Sequence, residues 1–467
     1  MKGSLLRAGA LLLALMFAGE AAAFTLHKLR GGEAGPTLLL IGGIQGDEPG
    51  GFMAADLLLT HYTVTRGTVW LVPNLNFASI IARRRGVHGD MNRKFAALRG
   101  DDPEYALVER IKRLIRAPQV SGVVNLHDGS GFYRSRYIDR LHSPQRWGQS
   151  TIIDQALLPG VPFGALQRIA ERVRDHVNAH LLDAEHRFAV KNTRTGEGDE
   201  EMARSLTYYA INQGKPAFAV EASKSFGTAK RVYYHLLAVE AYLHAFGIEF
   251  KRHLTLSPAG IDRALEAQPQ IALYDRRLVF DVADARRHLG YIPMRMGSEV
   301  VYESSSPLVA LVAREEGYQV SYGNNRQTLL LPQFMEYDDS LDSVWVEQGG
   351  SERRIPFGTI VPVDDRAALK VPAGYRVNLI GYTHGAQRNE AGIAVAREDF
   401  IERFSVDRAA QLFRAEVYRG RRFCGMVLLD FSGRRERSAT PWRASGRLHY
   451  AGRRDEVPQV AAALAER

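Results

Sequence analysis

The segment Thr37–Gly43, TLLLIGG, is an unbroken run without a charge. A strand exposed on one face alternates apolar and polar residues, whereas a continuous apolar run belongs to a strand covered on both faces. Such strands sit in sheets sandwiched between helices, so this one segment narrows the fold sharply. The segments after it have the same character. Pro49–Thr60 has helical spacing, Thr68–Val72 is β-rich, Pro103–Ile115 is helical and Gly122–Leu126 is a strand. Leu166–Leu182 is helical, Pro216–Val220 is a strand and Arg231–Phe246 a last helix. Strands alternating with helices predict an α/β domain with a parallel or mixed sheet flanked by helices. Open sheets of this kind place their sites beyond strand C-terminal ends, where Gln45, His127 and Glu221 fall.

Beyond residue 251 the pattern changes to short strands. Ile271–Val282 alternates in part, and Tyr318–Tyr322 and Arg326–Leu331 around Gly323-Asn324-Asn325 read as a hairpin. Val344–Glu347, Ile355–Val363, Tyr375–Tyr382 and Arg421–Phe431 are further strands. Regular short strands without helices predict two small all-β, sandwich-like domains. The expected organisation is a signal segment at 1–23, an α/β domain at 24–250, β domains at 251–342 and 343–435, and a basic tail at 436–467. A chain of 467 residues has room for about three domains.

Composition sets the chemistry. Charged residues make up 24% of the chain, too many for a multi-span membrane protein. Cys424 is the single cysteine, so an internal disulfide and a cysteine-based zinc site are both excluded. Any metal must use histidine, carboxylate or amide ligands. The net charge of +9 favours anionic partners. Lys2 and Arg7, the apolar run Ala8–Ala18 and Ala21-Ala22-Ala23 form a secretory signal pattern. The expected location is the periplasm of a Gram-negative cell. Nucleic acid is not an expected partner, because no basic stripe interleaved with aromatics appears.

Three groups of residues could carry chemistry. Gln45 and Glu48, three apart at a strand-to-helix turn, would share a face on the first turn of a helix and offer a metal an amide oxygen and a carboxylate. The same Gly-rich turn also reads simply as a helix start with Glu48 favouring its N-terminus. In Arg83–Phe95, Asn92-Arg93 pairs an amide with a guanidinium, which suits a carboxylate. Arg83 and Arg84 read as a solvated face, and His88 as a structural group. His127 ends one strand and Glu221 another. A carboxylate there is costly unless it meets a cation or lines a cleft, and Lys224 is its natural partner.

Taken together, Gln45-x-x-Glu48, Arg85, Asn92-Arg93, His127 and Glu221 resemble the zinc carboxypeptidases of the M14 superfamily. That family usually has His where this chain has Gln45. The sequence is most similar to the branch with Gln there, the peptidoglycan D,L-carboxypeptidases that set helical cell shape in Helicobacter and Campylobacter. NLHDGSGFYR, RWGQSTIIDQ and FAVEASK carry that likeness. The resemblance implies one Zn²⁺ per chain on Gln45, Glu48 and His127, with Glu221 as general base and Arg85 stabilising the oxyanion. It implies Asn92 and Arg93 as receptor of the terminal carboxylate. Trp147, Thr207 and Lys224 would hold the far end of diaminopimelate. The implied substrate is the peptidoglycan stem tripeptide, and cell-shape proteins are possible partners of the β domains. Two other readings are a zinc amidohydrolase of the succinylglutamate desuccinylase and aspartoacylase type, and a metal-free module that binds wall peptides.

Overall fold

A computed structural model of the chain describes residues 24–267, 269–383, 388–433, 442–447 and 449–450. The expected signal segment lies outside the described residues. The chain divides into two compact units, Met1–Leu265 and Glu266–Arg467.

The first unit is α/β. Its strands are β1 (His27–Arg30), β2 (Glu33–Ile41), β3 (Tyr62–Val72), β4 (Val120–Gly129) and β5 (Phe132–Tyr133). They continue with β6 (His142–Ser143), β7 (Ser150–Ile153), β8 (Ala189–Asn192), β9 (Ala217–Ser223) and β10 (Glu249–Arg252). The main sheet runs β1-β3-β2-β4-β9-β7-β8, with β10 also on β3. It is mixed: β2 is parallel to β3 and β4, β4 is parallel to β9, and β7 is antiparallel to β9. The apolar run sits where its composition requires, between two parallel neighbours, with Leu38–Ile41 fully buried.

Each parallel step needs a crossover, and helices supply them. Helix Pro49–His61 links β2 to β3, starting on a proline whose fixed φ suits the first turn. It packs against helix Thr228–Ala245, which follows β9. β3 begins at Tyr62, earlier than the apolar run Thr68–Val72 indicates. Its first half alternates, with Tyr62 and Val64 buried and Thr63 exposed, and pairs with β10. The α/β unit therefore continues past residue 250, through β10 and helix Pro258–Glu266.

In the second unit, among the described residues, every extended element is a strand in one of four sheets. One sheet joins Gln270–Leu273, Leu278–Asp281, Val301–Ser304 and Ala444–Arg447. A second joins His288–Arg295, Asn325–Met335, Gly317–Tyr322, Val309–Arg314 and His449–Tyr450. The other two, of three and four strands, span Ser343–Asp430. The expected hairpin turns tightly, with Tyr322 opposite Asn325 and Gly323 at φ 54°. Phe413, Val417 and the free Cys424 lie in the core of the Ser343–Asp430 sheets. Part of the expected basic tail is ordered as strand: Ala444–Arg447 pairs with Val301–Ser304, an open edge that gains backbone hydrogen bonds. Residues 436–441, 448 and 451–467 of that tail lie outside the described residues.

Candidate active site

The parallel register of β4 and β9 sets His127 beside Glu221. Both lie inside their strands' last residues rather than just past them, so the sheet itself fixes their direction. Neighbours in register point to the same face of a sheet, and period two adds Asn125 and Ala219 to that face.

Gln45 and Glu48 come from the turn between β2 and helix Pro49–His61. They are not on the helix's first turn as their spacing indicates: Glu48 is the residue before it, at φ −117° and ψ 68°. The turn is pressed onto helix Phe77–Ala82. A Cβ on Gly46 would lie 2.1 Å from the Ser79 carbonyl, so only glycine permits the approach. That packing aims both side chains at β4. His127 Nδ1 lies 3.1 Å from Gln45 Oε1 and 2.9 Å from Glu48 Oε2, and all three residues are buried.

Three donor atoms meeting at one buried point, from an imidazole, a carboxylate and an amide, form a donor set that suits a divalent cation. The groups around them test the fit. Gln45 Nε2 donates to Asp90 Oδ1 at 2.8 Å, which turns the amide oxygen inward. His127 Nε2 lies 2.7 Å from Asn125 Nδ2, while the buried Asn125 Oδ1 has no partner. With that amide turned over, Oδ1 would accept from Nε2–H and the Nδ1 lone pair would be free for a metal. The residues present therefore fit a metal site.

Around this point is a cavity of about 230 Å³. Every residue that the family resemblance implies for the site lines it: Gln45, Glu48, Arg85, Asn92, Arg93, His127, Trp147, Thr207, Glu221 and Lys224. Arg85 Nε donates to Asp90 Oδ2 at 3.0 Å, and its Nη1 reaches Glu48 at 3.4 Å. Asn92 Oδ1 accepts from the Leu206 N–H, which leaves the amide nitrogen as its donor end. Arg93 pairs with the exposed Glu201 at 2.8 Å. Lys224 does not pair with Glu221 as its position in the sequence indicates. Its ammonium lies 3.1 Å from Asp47 and 3.2 Å from Glu48, because the turn before the helix brings two carboxylates to it. Trp147 is held by Lys191, whose ammonium sits 3.7 Å from the ring centroid. His88 is exposed and takes no part.

Burial pushes the Glu221 carboxyl up to about 8; His127 opposes the shift, and the Glu48 and Asp128 charges add to it. Burial would also raise Asp90, but the bonds from Gln45 and Arg85 hold it below the usual carboxylate range. Two carboxylates stand out that the sequence did not single out. Asp90 orients Gln45 and Arg85 at once. Asp128, wholly buried, accepts from the Gly50 N–H at 2.9 Å and Arg231 at 3.1 Å, and lies 3.1 Å from His235. It ties the start of helix Pro49–His61 to the helix after Glu221. Asp90's position two residues before Asn92-Arg93 was its only signal in the sequence.

Comparison with known proteins places this geometry. Residues 4–266 match a family described as a carboxypeptidase controlling helical cell shape, catalytic part. Residues 337–432 match a C-terminal domain of metallo-carboxypeptidases. The chain belongs to this family of metallocarboxypeptidases. It is 38% identical to the cell shape determinant protein Csd4 from Helicobacter pylori, in its product-bound crystal structure. The match covers 88% of this chain and 100% of that one, with a TM-score of 0.80. The tripeptide-bound structure of the same protein matches over 87% of this chain and 100% of that one, again with 38% identity and a TM-score of 0.80. A form bound to mDAP, described as a D,L-carboxypeptidase, matches over 86% and 99% at the same identity and TM-score. Among curated proteins the chain has no match. Hydrolase chemistry with a metal is thus the family's, and the mixed α/β catalytic unit with an all-β C-terminal part is its fold.

Proposed function

We propose that this chain is a zinc-dependent D,L-carboxypeptidase. It would trim the peptidoglycan stem tripeptide L-Ala-γ-D-Glu-meso-diaminopimelate to the dipeptide and so influence cell shape. The observation that carries this reading is the meeting of Gln45, Glu48 and His127 at one buried point, in a cavity also lined by Glu221, Arg85 and Arg93. Gln45 Oε1, Glu48 Oε2 and His127 Nδ1 would hold one Zn²⁺. When bound, zinc supplies Lewis-acid polarisation of the scissile carbonyl and acidifies the attacking water.

The chain's own residues do the rest. Glu221 takes the proton of the attacking water on its carboxylate and passes it to the leaving amine nitrogen. Arg85, half-exposed and held by Asp90, faces the carbonyl oxygen as charge develops there. Asn92 Nδ2 and Arg93 receive the terminal carboxylate, which selects the chain end of a peptide. For Arg93 this means exchanging Glu201, an exposed partner given up at little cost. Trp147, Thr207 and Lys224 line the same cavity, positioned for the second amino-carboxylate end of diaminopimelate. The signal pattern at residues 1–23 supports a periplasmic location, and the β unit is proposed as a docking surface for other cell-shape proteins. Among the described residues no helix is long and apolar enough to cross a membrane.

Chromatography of muramyl tripeptide incubated with the purified protein tests the reading. The expected product is dipeptide plus free diaminopimelate, with about one zinc per chain by metal analysis. Glu221→Gln keeps the shape and the zinc, and should lower kcat by at least about 100-fold. Undiminished turnover in that variant would assign the base elsewhere. Protein that takes up no metal would point instead to a peptide-binding module.

A further inference from the structure

Between the cavity residues Ser130 and Trp147 the chain leaves the site, forms a loop and returns. The N–H groups of Trp147 and Gly148 donate to the Ser130 carbonyl at 3.2 and 3.3 Å, so both ends of the loop are pinned at the rim. Its tip, Ser135–Leu141, is exposed throughout. Tyr137 is 70% exposed, Ile138 64% and Leu141 46%. Single exposed apolar residues are ordinary, but three of them within five residues at a loop tip are not.

The tip is also ordered. Asp139 accepts from the N–H groups of Leu141 and His142 at 2.7 and 2.8 Å. The Ile138 N–H donates to the His142 carbonyl at 2.9 Å, and Phe132 stacks on His142 at 4.7 Å. A connection that only had to cross solvent would gain nothing by fixing apolar side chains in water. The charge around them is mostly positive. Arg134, Arg136, Arg140 and Arg146 outnumber one acid of the loop, Asp139, whose carboxylate bonds within the turn. Arg134 and Arg146 brace the loop through the Glu185, Arg187 and Arg140 carbonyls. Arg136 and Arg140 are exposed beside the apolar tip.

We propose that this tip docks the protein on an anionic lipid bilayer. Tyr137, Ile138 and Leu141 enter the interface, and Arg136 and Arg140 pair with lipid phosphates. Basic side chains next to apolar ones are the combination that holds a peripheral protein at such a surface. A polysaccharide would satisfy the arginines but offers little to Ile138 and Leu141, because aliphatic groups gain free energy only against apolar atoms. With the tip seated, the rim of the cavity lies beside the surface.

Co-sedimentation of the purified protein with vesicles tests this. Binding is expected to phosphatidylethanolamine vesicles containing phosphatidylglycerol, to weaken with salt, and to be marginal on phosphatidylcholine. The Tyr137→Ser/Ile138→Ser/Leu141→Ser and Arg136→Ala/Arg140→Ala variants should each bind about tenfold more weakly or worse. Tyr137→Trp should show a blue-shifted emission on binding. Absence of vesicle binding by the unaltered protein at low salt overturns the proposal, as does binding that the variants leave unchanged. Loop-dependent sedimentation with purified wall sacculi in place of vesicles overturns it in favour of the wall polymer. Loop-dependent dimerisation without lipid binding overturns it in favour of a second copy.

Discussion

Two amide side chains decide what the metal point can do. Gln45 offers an oxygen only because Asp90 takes its nitrogen at 2.8 Å. Asn125, 2.7 Å from Nε2 of His127, bears on which imidazole nitrogen carries the proton. A free histidine exchanges its proton between nitrogens, so its neighbour sets which one can ligate. Asn125→Ala is therefore expected to weaken zinc binding about 10- to 100-fold. Chelator competition on the purified protein measures this directly. Asn125→Asp, which keeps an acceptor beside Nε2, should recover most of the loss. Equal affinity in the alanine variant would show that His127 is oriented by its other contacts alone.

At the scale of elements, the end of β4 matters most. A Cβ on Gly129 would lie 2.8 Å from Glu221 Oε2 and 2.5 Å from the Gly148 nitrogen. The strand end must therefore be bare for the Trp147–Gly148 segment to close over the site. Gly129→Ala should shift Glu221 or that segment. Displacements of this size cost about 100-fold in kcat/KM, with overpacking of about 1–3 kcal/mol in stability. Steady-state kinetics on tripeptide and thermal unfolding read the two effects separately. A variant with normal kcat/KM and lowered Tm would mean that the strain is absorbed away from Glu221. The strand positions of His127 and Glu221 were legible in the sequence to within a residue or two, because apolar runs mark buried strands. Their mutual register was not, since nothing local to either strand specifies its partner.

For the whole molecule, metal and protons are linked. In the metal-free protein the Glu221 carboxyl is pushed up to about 8. The unfolded chain releases that proton near pH 4.3, so from about pH 5 to about pH 8 the folded state holds the extra proton. Stability of the metal-free protein should therefore fall as pH rises through that window. A bound dication favours the ionised carboxylate, so the stabilisation by zinc should grow over the same range. Thermal unfolding with zinc and with chelator, across pH, gives both slopes. Calorimetric zinc titration at neutral pH in two buffers should also show proton release. Parallel stability curves with and without zinc would place the metal away from Glu221.

Much of this protein was fixed by local chemistry along the chain. Thr37–Gly43 demanded a strand buried on both faces, and the alternation around it demanded an α/β sheet. Gln45, Glu48, His127 and Glu221 fell where such sheets deliver side chains. Tertiary structure decided what those side chains meet. Asp90 reaches Gln45 across 45 residues, and Asp128 reaches Arg231 across 103. Lys224 turned to Asp47 and Glu48 rather than to its near neighbour Glu221. Periodicity and composition record which face a residue occupies within its own element. Hydrogen bonds between distant elements depend on register and packing, which exist only once the sheet has formed.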